Sequence, residues 1–595
     1  MKVLVLGASG FIGFPAAQAL LIHRAVIPLV ADVASPSQWI EIVKDLDAVI
    51  DCVGGDIKSL GEVIFTAVRE AAQKHRPQGA PKLTYVYTSG GWVHGDSRND
   101  IVTDTTPITK PVDLVAWRPE HERRVAHDAT LNGFVIRPAG VYGRSGSIFA
   151  PFFKSASEGK VRFPGTPGGR LAVLHTDDLA DLYVKATEKA VLCGGLIIDG
   201  ANDTTESTDD FLRALVKVSG ASGPYEYTEP ANLFEVALGT TVLLRAYLAK
   251  SLLGWQPPCA RMKVLILGYS DPFARNSLRF LIVFYRASGY IGFPAAQALV
   301  RAGHYVIGQT RSAEKGKLLA VEEIIPLVGE ITKPSEWVDI VKDLDAVIDC
   351  IGGTPEIKLL ADITLTAISE AAKNLRPKGA PKLTFIYTSG VWVHSDNRND
   401  IVTDTTPITK PIDLVTWRPA HEQRVIHDPN INGFVIRPAL LYGRSGSLFA
   451  PFFKSASEGR VWYPGTPGGR LAVLHTDDLS DLYVKATEKA VLCGGLIIDA
   501  ANDNTESTDD FLAALVKVSK ANGDYEYREP TNVFEVALGT TILLRPYLAK
   551  ALLGWQPRKP GLIDGLQVYY GAWKAYQTAS NKIVMQYDKD PYSRT

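Results

Sequence analysis

Short runs of apolar residues alternate along the chain with longer helix-like stretches. In the first half the apolar runs are KVLVLG, DAVIDCVGG, KLTYVYTSG, GFVIRPAG and LIIDG, and helix-like segments such as residues 60–74 separate them. Continuous apolar runs bounded by glycine are typical of parallel strands that are buried on both faces. The alternation therefore predicts an α/β fold with a doubly wound parallel sheet.

The same succession occurs twice because the sequence itself repeats. MKVLVLG at 1–7 returns as MKVLILG at 262–268, and from Thr88 onward the two copies align at a constant offset of 300 positions. A repeat unit of this length is a whole domain. We therefore predict two tandem domains, residues 1–261 and 262–595, each with its own doubly wound parallel sheet.

Composition and charge limit the kinds of partner that the protein is expected to bind and leave the predicted two-domain α/β fold unchanged. Lys plus Arg number 63 and Asp plus Glu 64, which indicates neither nucleic acid nor an acidic membrane surface as a partner. The apolar runs are too short for a membrane span or a signal peptide. Five cysteines without disulfide or zinc spacing favour a reduced, cytoplasmic setting and no bound metal.

The loop GASGFIG at 7–13 follows a predicted strand and opens a predicted helix. In that context glycines let backbone N–H groups approach a pyrophosphate, next to the partial positive charge of the helix N-terminus. We therefore predict a dinucleotide site in each copy. The predicted contacts in the first copy are Gly7, Ser9, Gly10, Phe11, Ile12, Gly13, Gly54, Thr88 and Pro138. Those in the second copy are Gly268, Ser288, Gly289, Tyr290, Ile291, Gly292, Gly352, Thr388 and Pro438.

Four motifs in a fixed order carry a family resemblance. GASGFIG, TYVYTSGGWVHG, FVIRPAGVYG and LHTDDLADLYVKA resemble the extended and atypical short-chain dehydrogenases/reductases, the group that contains NAD-dependent epimerases and dehydratases. The resemblance covers nearly all of both copies. It implies, in each copy, a Rossmann-type sheet that binds NAD or NADP and a small C-terminal substrate lobe, with an oxidoreductase or epimerase activity on a small carbonyl or sugar-like substrate. A homodimer is the candidate assembly.

The end of the second strand predicts the cofactor, because an acid there holds the ribose and an arginine accepts a 2′-phosphate. In the second copy this strand is HYVIGQTRS, so Thr310, Arg311 and Ser312 favour NADP, unless Arg311 is simply an exposed loop residue. The first copy is nineteen residues shorter here and lacks the strand. Asp32 is not its ribose acid, since the counterpart Glu330 follows the third strand.

The catalytic positions depart from the pattern that the resemblance implies, which is a Ser or Thr with a Tyr-x-x-x-Lys pair. Gly90 stands where the hydroxyl belongs, with Thr88 and Ser89 beside it, and Trp117 and His121 replace the Tyr and Lys. Histidine titrates near neutral pH and could donate a proton; alternatively, Trp117 packs in the core and His121 is a surface helix residue. The candidate catalytic residues are therefore Ser89, His121, Ser389 and His421.

Other polar residues in the motifs have less defined roles. Tyr142 and Tyr442 either line the substrate pocket or simply pack. His175 and Asp177 are expected to hold a turn and cap a helix. Without the Tyr and Lys, a non-catalytic dinucleotide-binding module with a regulatory or redox-sensing role is the alternative function.

An insertion, YSDPFARNSLRFLIVFYR at 269–286, separates Gly268 from Ala-Ser-Gly in the second copy. We expect it to disrupt the phosphate loop and to expose the run FLIVFY as an aggregation hazard, while residues 287–292 keep the helix N-terminus. Our hypothesis is that the insertion is an unspliced intron, that the nineteen-residue gap of the first copy is the opposite splicing error, and that two tandem genes are joined in one gene model. A genuine interaction loop is the alternative, and a non-functional product is a third possibility for the function of the chain. The first copy also lacks the amphipathic tail GLIDGLQVYYGAWKAYQ that ends the second.

Overall fold

The structure is a computed structural model that describes residues 1–20, 29–53, 57–144, 147–221, 223–257, 280–444 and 447–578. These residues form two compact units, one on each side of residues 258–279. The predicted domain boundary at 261 and the predicted contacts Gly54 and Gly268 lie outside the described residues. Among the described residues, no helix combines the length and apolar character that crossing a bilayer requires.

The first unit contains the following elements. Its strands are β1 (Val3–Leu6), β2 (Ala48–Asp51), β3 (Thr84–Thr88), β4 (Ser97–Val102), β5 (Asn132–Pro138), β6 (Gly140–Tyr142), β7 (Arg162–Pro164), β8 (Arg170–Leu171), β9 (Val173–His175), β10 (Ile197–Gly200), β11 (Glu206–Ser207), β12 (Glu226–Thr228) and β13 (Val242–Leu244). Its helices are α1 (Gly13–Leu20), α2 (Ile57–His75), α3 (Arg118–Ala126), α4 (Ala150–Ser157), α5 (Thr176–Glu188), α6 (Ala190–Cys193), α7 (Thr208–Ser219), α8 (Leu233–Leu238) and α9 (Leu248–Leu253).

The second unit repeats these elements with additions. Its strands are β14 (Leu281–Tyr285), β15 (Tyr305–Thr310), β16 (Ile325–Val328), β17 (Ala346–Asp349), β18 (Leu383–Thr388), β19 (Asn397–Val402), β20 (Ile431–Pro438), β21 (Leu440–Tyr442), β22 (Trp462–Pro464), β23 (Arg470–Leu471), β24 (Val473–His475), β25 (Ile497–Ala500), β26 (Glu506–Ser507), β27 (Glu526–Arg528) and β28 (Ile542–Leu544). Its helices are α10 (Gly292–Arg301), α11 (Ala313–Val321), α12 (Ile357–Leu375), α13 (Arg418–Ile426), α14 (Ala450–Ser457), α15 (Thr476–Glu488), α16 (Ala490–Cys493), α17 (Thr508–Ser519), α18 (Val533–Leu538), α19 (Leu548–Leu553) and α20 (Leu566–Thr578).

Each unit is built on a parallel sheet with helices on both faces. In the described residues the order is β1-β2-β3-β5-β10 in the first unit and β16-β15-β14-β17-β18-β20-β25 in the second. Adjacent strand residues point to opposite faces. Ile50 therefore packs in the core that includes α1, α5 and α9, while its neighbour Val49 packs in the core with α2 and α3. The predicted doubly wound α/β fold is confirmed.

The smaller lobe of each unit consists of short strand pairs and helices. In the first unit β6 pairs with β9, β7 with β12 and β8 with β11. Helices α4 and α7 cover them around an aromatic core of Phe149, Phe163 and Phe211. The second unit repeats these pairs and adds α20 to the equivalent core.

The run FLIVFY of the predicted insertion is not exposed. Residues 281–285 form β14, which pairs with β15 on one side and β17 on the other, and Ile282 through Tyr285 are fully buried. The prediction of an exposed, aggregation-prone run is therefore wrong, because this run is a central strand of the second sheet. Whether residues 269–279 derive from an intron stays a hypothesis, since they lie outside the described residues.

The first sheet is shorter at one edge in the described residues. Within them, β1 pairs only with β2, whereas β14 pairs with β17 on one side and has β15 and β16 on the other. The described residues of the first unit thus contain no counterpart of β15 or β16, and the loss of the second strand from the first copy stays a prediction. Val3, Leu4 and Val5 are only half-buried as a consequence.

Candidate functional site

The glycine loop of the first unit closes tightly on the end of β2. Gly7 has a φ of 73°, and a Cβ there would lie 2.8 Å from the carbonyl oxygen of Cys52. A Cβ on Gly13, where α1 begins, would lie 2.2 Å from the Gly7 oxygen. Side chains are sterically excluded at both positions, so the backbone and the first turn of α1 stay open to a ligand. This cradle fits a pyrophosphate.

The second unit forms the same turn with an arginine in place of the first glycine. Arg286 follows β14 directly and has a φ of 58°, and the amide of Gly289 donates to its carbonyl at 2.9 Å. A Cβ on Gly292 would lie 2.5 Å from the Arg286 oxygen, as in the first unit. The expected disruption of this loop is therefore wrong: residues 286–292 complete it. The Arg286 guanidinium donates to the carbonyl of Gly352.

The residues predicted to select NADP lie together beside this loop. The hydroxyls of Ser288 and Thr310 are 3.4 Å apart, and the Ser312 amide lies 3.4 Å from the Thr310 hydroxyl. Ser312 caps α11 by accepting from the amide of Lys315, and the side chain of Arg311 is exposed at that helix start. Hydroxyls, a helix N-terminus and an arginine are the groups that bind a phosphate.

The glycine loop of the first unit opens onto a cavity of about 590 Å³ between the sheet and the lobe. Its apolar lining includes Phe11, Ile12, Trp92, Trp117, Pro138, Val141, Phe149 and Phe234. Its polar lining includes Lys58, Ser89, Arg118 and Thr240. An apolar cavity with a few convergent polar groups is the usual form of a small-molecule site.

Ser89 belongs to a buried polar network at the floor of this cavity. Its hydroxyl donates to Glu122, and Arg137 grips the Glu122 carboxylate in a bidentate pair at 3.0 and 2.5 Å. Glu122 is fully buried. A buried charge is tolerated only when it is paired in this way, so the network fixes the rotamer of Ser89.

The second unit repeats the network at its predicted catalytic serine. Ser389 donates to Glu422 at 2.5 Å, and Arg437 grips Glu422 at 3.0 and 2.5 Å. In both units the predicted catalytic serine thus donates its hydroxyl proton to a glutamate, and only the lone pairs of its oxygen are left for another contact.

Arg118 and Lys58 are cationic residues that line the cavity, and no role for Arg118 was predicted from the sequence. Its guanidinium lies over the Trp117 ring at 5.5 Å, and Nη1 is 3.4 Å from the Ser89 hydroxyl. Its Nε is buried and has no hydrogen-bond partner among the described residues. Arg418 stacks on Trp417 in the same way, at 5.2 Å. In both copies an arginine directly follows the tryptophan that stands in place of the tyrosine, and this repeated Trp-Arg pair was the signal that could have identified the cation.

His121 lies on α3, and its side chain is buried against α2. It stacks edge-on against Tyr87 at 4.7 Å and Phe65 at 5.6 Å, and its Nδ1 lies 3.7 Å from the Glu62 carboxylate. Burial lowers the pKa of His121, which favours the neutral form of the ring. Among the described residues that line the cavity, His121 does not appear. The alternative prediction that His121 is a surface residue of the helix is wrong, because its side chain is buried.

His421 occupies the same position in the second unit. Its Nδ1 lies 3.2 Å from the Asp362 carboxylate, and burial lowers its pKa. A role for either histidine in proton transfer stays a prediction.

The predicted substrate tyrosines pack against the lobe. Tyr442 is fully buried, and its hydroxyl donates to the Pro560 carbonyl at 2.7 Å and accepts from Asn502 at 3.0 Å. Tyr142 is half-buried and stacks on His175 at 5.2 Å. His175 accepts from the Asp177 amide at 3.2 Å and caps α5, as predicted.

The remaining predicted cofactor contacts lie at the same strand ends. The Thr88 hydroxyl is 2.6 Å from that of Tyr183, as Thr388 is from Tyr483. Pro138 lines the cavity, and Pro438 ends β20 at the equivalent place.

The two sheets and their glycine loops define a tandem pair of Rossmann-type α/β units. No protein-family model matches the chain, and no curated protein matches it. Solved structures that it is similar to include dTDP-glucose 4,6-dehydratase from Bacillus anthracis in complex with NAD (14% identity, 51% of this chain and 99% of that chain, TM-score 0.43). UDP-glucuronic acid 4-epimerase from Bacillus cereus in complex with NAD (20%, 49% and 98%, 0.40) is another.

A third is UDP-glucose 4-epimerase from Bifidobacterium longum in complex with NAD+ and UDP (16% identity, 51% of this chain and 100% of that chain, TM-score 0.42). Each of the three is similar to about half of this chain.

Proposed function

We propose that the chain is an NAD(P)-dependent oxidoreductase or epimerase that acts on a small carbonyl or sugar-like substrate. One observation carries this proposal: Phe11 and Ile12 of the glycine loop line the same 590 Å³ cavity as Ser89 and Arg118. A dinucleotide held by the loop would thus share the cavity with the polar groups that can bind a substrate. A bound nicotinamide would supply or accept a hydride there.

The chain's own residues would bind and orient the substrate. The Arg118 guanidinium can donate to a carbonyl or phosphate oxygen, because Arg118 lines the cavity and its position is fixed by stacking on Trp117. The Ser89 hydroxyl oxygen can accept a hydrogen bond from a hydroxyl or N–H group of the substrate, since Ser89 donates its own proton to Glu122. The aromatic walls would exclude water and strengthen both contacts.

We further propose that the second unit prefers NADP, with Ser288, Thr310, Arg311 and Ser312 around the 2′-phosphate. Titration calorimetry with NADPH and NADH tests this proposal. Arg311→Ala should weaken NADPH binding about tenfold, a loss of about 1.4 kcal/mol, and leave NADH binding unchanged. Equal effects on both cofactors would contradict the assignment.

A non-catalytic dinucleotide-binding module is the second candidate. The burial of His121 and His421 away from solvent, together with the engaged serine hydroxyls, favours it. Turnover separates the two functions. The enzyme proposal expects NADPH oxidation with some member of a panel of carbonyl compounds and nucleotide sugars, and expects Arg118→Met to reduce it while cofactor binding persists. Tight cofactor binding with no turnover across the panel would favour the module.

A further inference from the structure

One face of the lobe is covered in the second unit and open in the first. Helices α4 and α14 have the same sequence, APFFKSAS. Phe453 of α14 is only 2% exposed, whereas Phe153 of α4 is 43% exposed. We call the surface formed by α4 and α7, with Phe152, Phe153 and Phe211, the lobe groove of the first unit.

The second unit shows what covers this surface. The rings of Tyr570 and Trp573 on α20 lie 5.7 and 6.2 Å from the ring of Phe453. Leu566 and Tyr569 of the same helix are also buried in this cluster. These four residues are spaced i, i+3, i+4 and i+7, so they form one face of α20.

The segment before α20 adds polar contacts. The Glu506 carboxylate accepts from the amides of Leu562 and Ile563 at 2.6 and 2.7 Å. Asp478 accepts from the amides of Arg558 and Lys559 at 3.0 and 3.1 Å. These contacts fix the register of the segment on the lobe.

The segment also places a glycine against Glu506. A Cβ on Gly561 would lie 2.5 Å from the Glu506 carboxylate, so a larger residue here would have to displace the side chain that holds the segment. The first unit has the same residue types at the corresponding positions, Asp178 and Glu206. Both the apolar and the polar parts of the surface that receives α20 are thus repeated in the first unit.

We propose that the lobe groove of the first unit binds an amphipathic aromatic helix from another polypeptide, with the chemistry of residues 558–578. Its recognition features are a glycine followed by large apolar residues at i, i+3, i+4 and i+7, the pattern of a helix that lies in an apolar groove. The chain's own α20 is seated on the second unit, so the proposal assigns the groove of the first unit to a helix of another polypeptide.

A labelled peptide of residues 557–578 tests this proposal. Its fluorescence anisotropy is measured against the full chain and two variants, Phe153→Glu in the groove and Val191→Ser as a control. Val191 is 92% exposed on α6, outside the groove, and Phe153 is exposed enough that its replacement leaves the fold intact. We expect saturable binding that Phe153→Glu weakens at least tenfold and Val191→Ser leaves unchanged.

Two results would overturn the proposal. Absence of saturable binding to the full chain would show that the groove accepts no such helix. Equal binding to the Phe153→Glu variant would place the peptide elsewhere, for instance on the second unit in exchange with α20. A second peptide with Tyr570→Ala and Trp573→Ala should bind at least tenfold more weakly, because it lacks the rings that contact Phe453 in the second unit.

Discussion

The two units share one fold but differ at two edges. The second sheet extends past β14 by β15 and β16, whereas β1 is the last strand of the first sheet in the described residues. The second lobe carries α20, and the first leaves Phe153 exposed. Both differences lie at the periphery, while the glycine loops, the Ser-Glu-Arg networks and the Trp-Arg pairs repeat. Peripheral elements can thus be lost while the arrangement around the cavity is kept.

The largest expected effect comes from removing the tail. A chain that stops after Gln556 would leave the second lobe like the first and expose Phe452, Phe453 and Tyr442. Leu562, Leu566, Tyr569, Tyr570 and Trp573 would all be lost from the core. Full burial of a large apolar side chain contributes roughly 1.5–3 kcal/mol, so the second unit should lose at least about 5 kcal/mol of unfolding free energy.

Calorimetry of the truncated chain, with hydrogen exchange to assign each transition, checks this prediction. The transition of the first unit serves as the internal control and should not move. If both units unfold as in the full chain, α20 contributes little, and the lobe groove would lose its structural basis.

The next effect concerns a feature in which the two units agree. Replacing Glu122 by Ala removes the carboxylate that Arg137 grips, and Glu422→Ala does the same to Arg437, which still has the Asp499 carboxylate 3.7 Å from its Nη1. Breaking a buried ion pair costs about 3–5 kcal/mol. Urea unfolding should therefore show a loss in both units, with the smaller loss in the second because Asp499 still faces Arg437; no loss in either unit would contradict the role of the network.

The sequence predicted the sheets because buried parallel strands leave continuous apolar runs, and the first glycine loop because it directly follows such a run. It missed β14. Because MKVLILG at 262–268 repeats the first strand of the first copy, the first strand of the second copy was assigned there and not to LIVFY, although LIVFY directly precedes the loop. It also missed the burial of α3. Arg118, His121 and Glu122 make that helix look like a surface helix, and only pairing partners distant in sequence, such as Arg137, allow it to be buried.

A smaller effect separates two buried aspartates. Burial raises the pKa of Asp51 to about 6 and that of Asp349 to about 7. Asp51 accepts from the Tyr85 hydroxyl at 3.0 Å. In the second unit Phe385 takes the place of Tyr85, and Asp349 Oδ2 has no hydrogen-bond partner among the described residues. In the unfolded chain an aspartate has a pKa of about 3.9. A raised pKa in the folded state means that stability is full below about pH 4 and falls as the pH rises towards 6 or 7.

Phe385→Tyr should therefore give Asp349 the partner that Asp51 has. A change of one unit in pKa corresponds to about 1.4 kcal/mol, so the second unit should gain about that much unfolding free energy at pH 8 and nothing at pH 4. Tyr85→Phe should cost the first unit a similar amount at pH 8. Denaturant titrations at both pH values check the pair. A gain for Phe385→Tyr that is the same at both pH values would exclude the aspartate as its cause.

The smallest effect lies at the first position of the two glycine loops. Arg286 has a φ of 58°, a conformation that costs a residue with a Cβ about 1–2 kcal/mol, but its guanidinium regains part of that cost by donating to Gly352. Arg286→Gly should thus raise the unfolding free energy of the second unit by less than about 1 kcal/mol. Gly7→Arg should lower that of the first unit by more, because its Cβ would lie 2.8 Å from the Cys52 oxygen. Thermal unfolding of both variants checks the opposite signs. If Gly7→Arg proved as harmless as Arg286→Gly, the loop would adapt to a side chain at its first position, and the close approach to β2 would not be what selects glycine there.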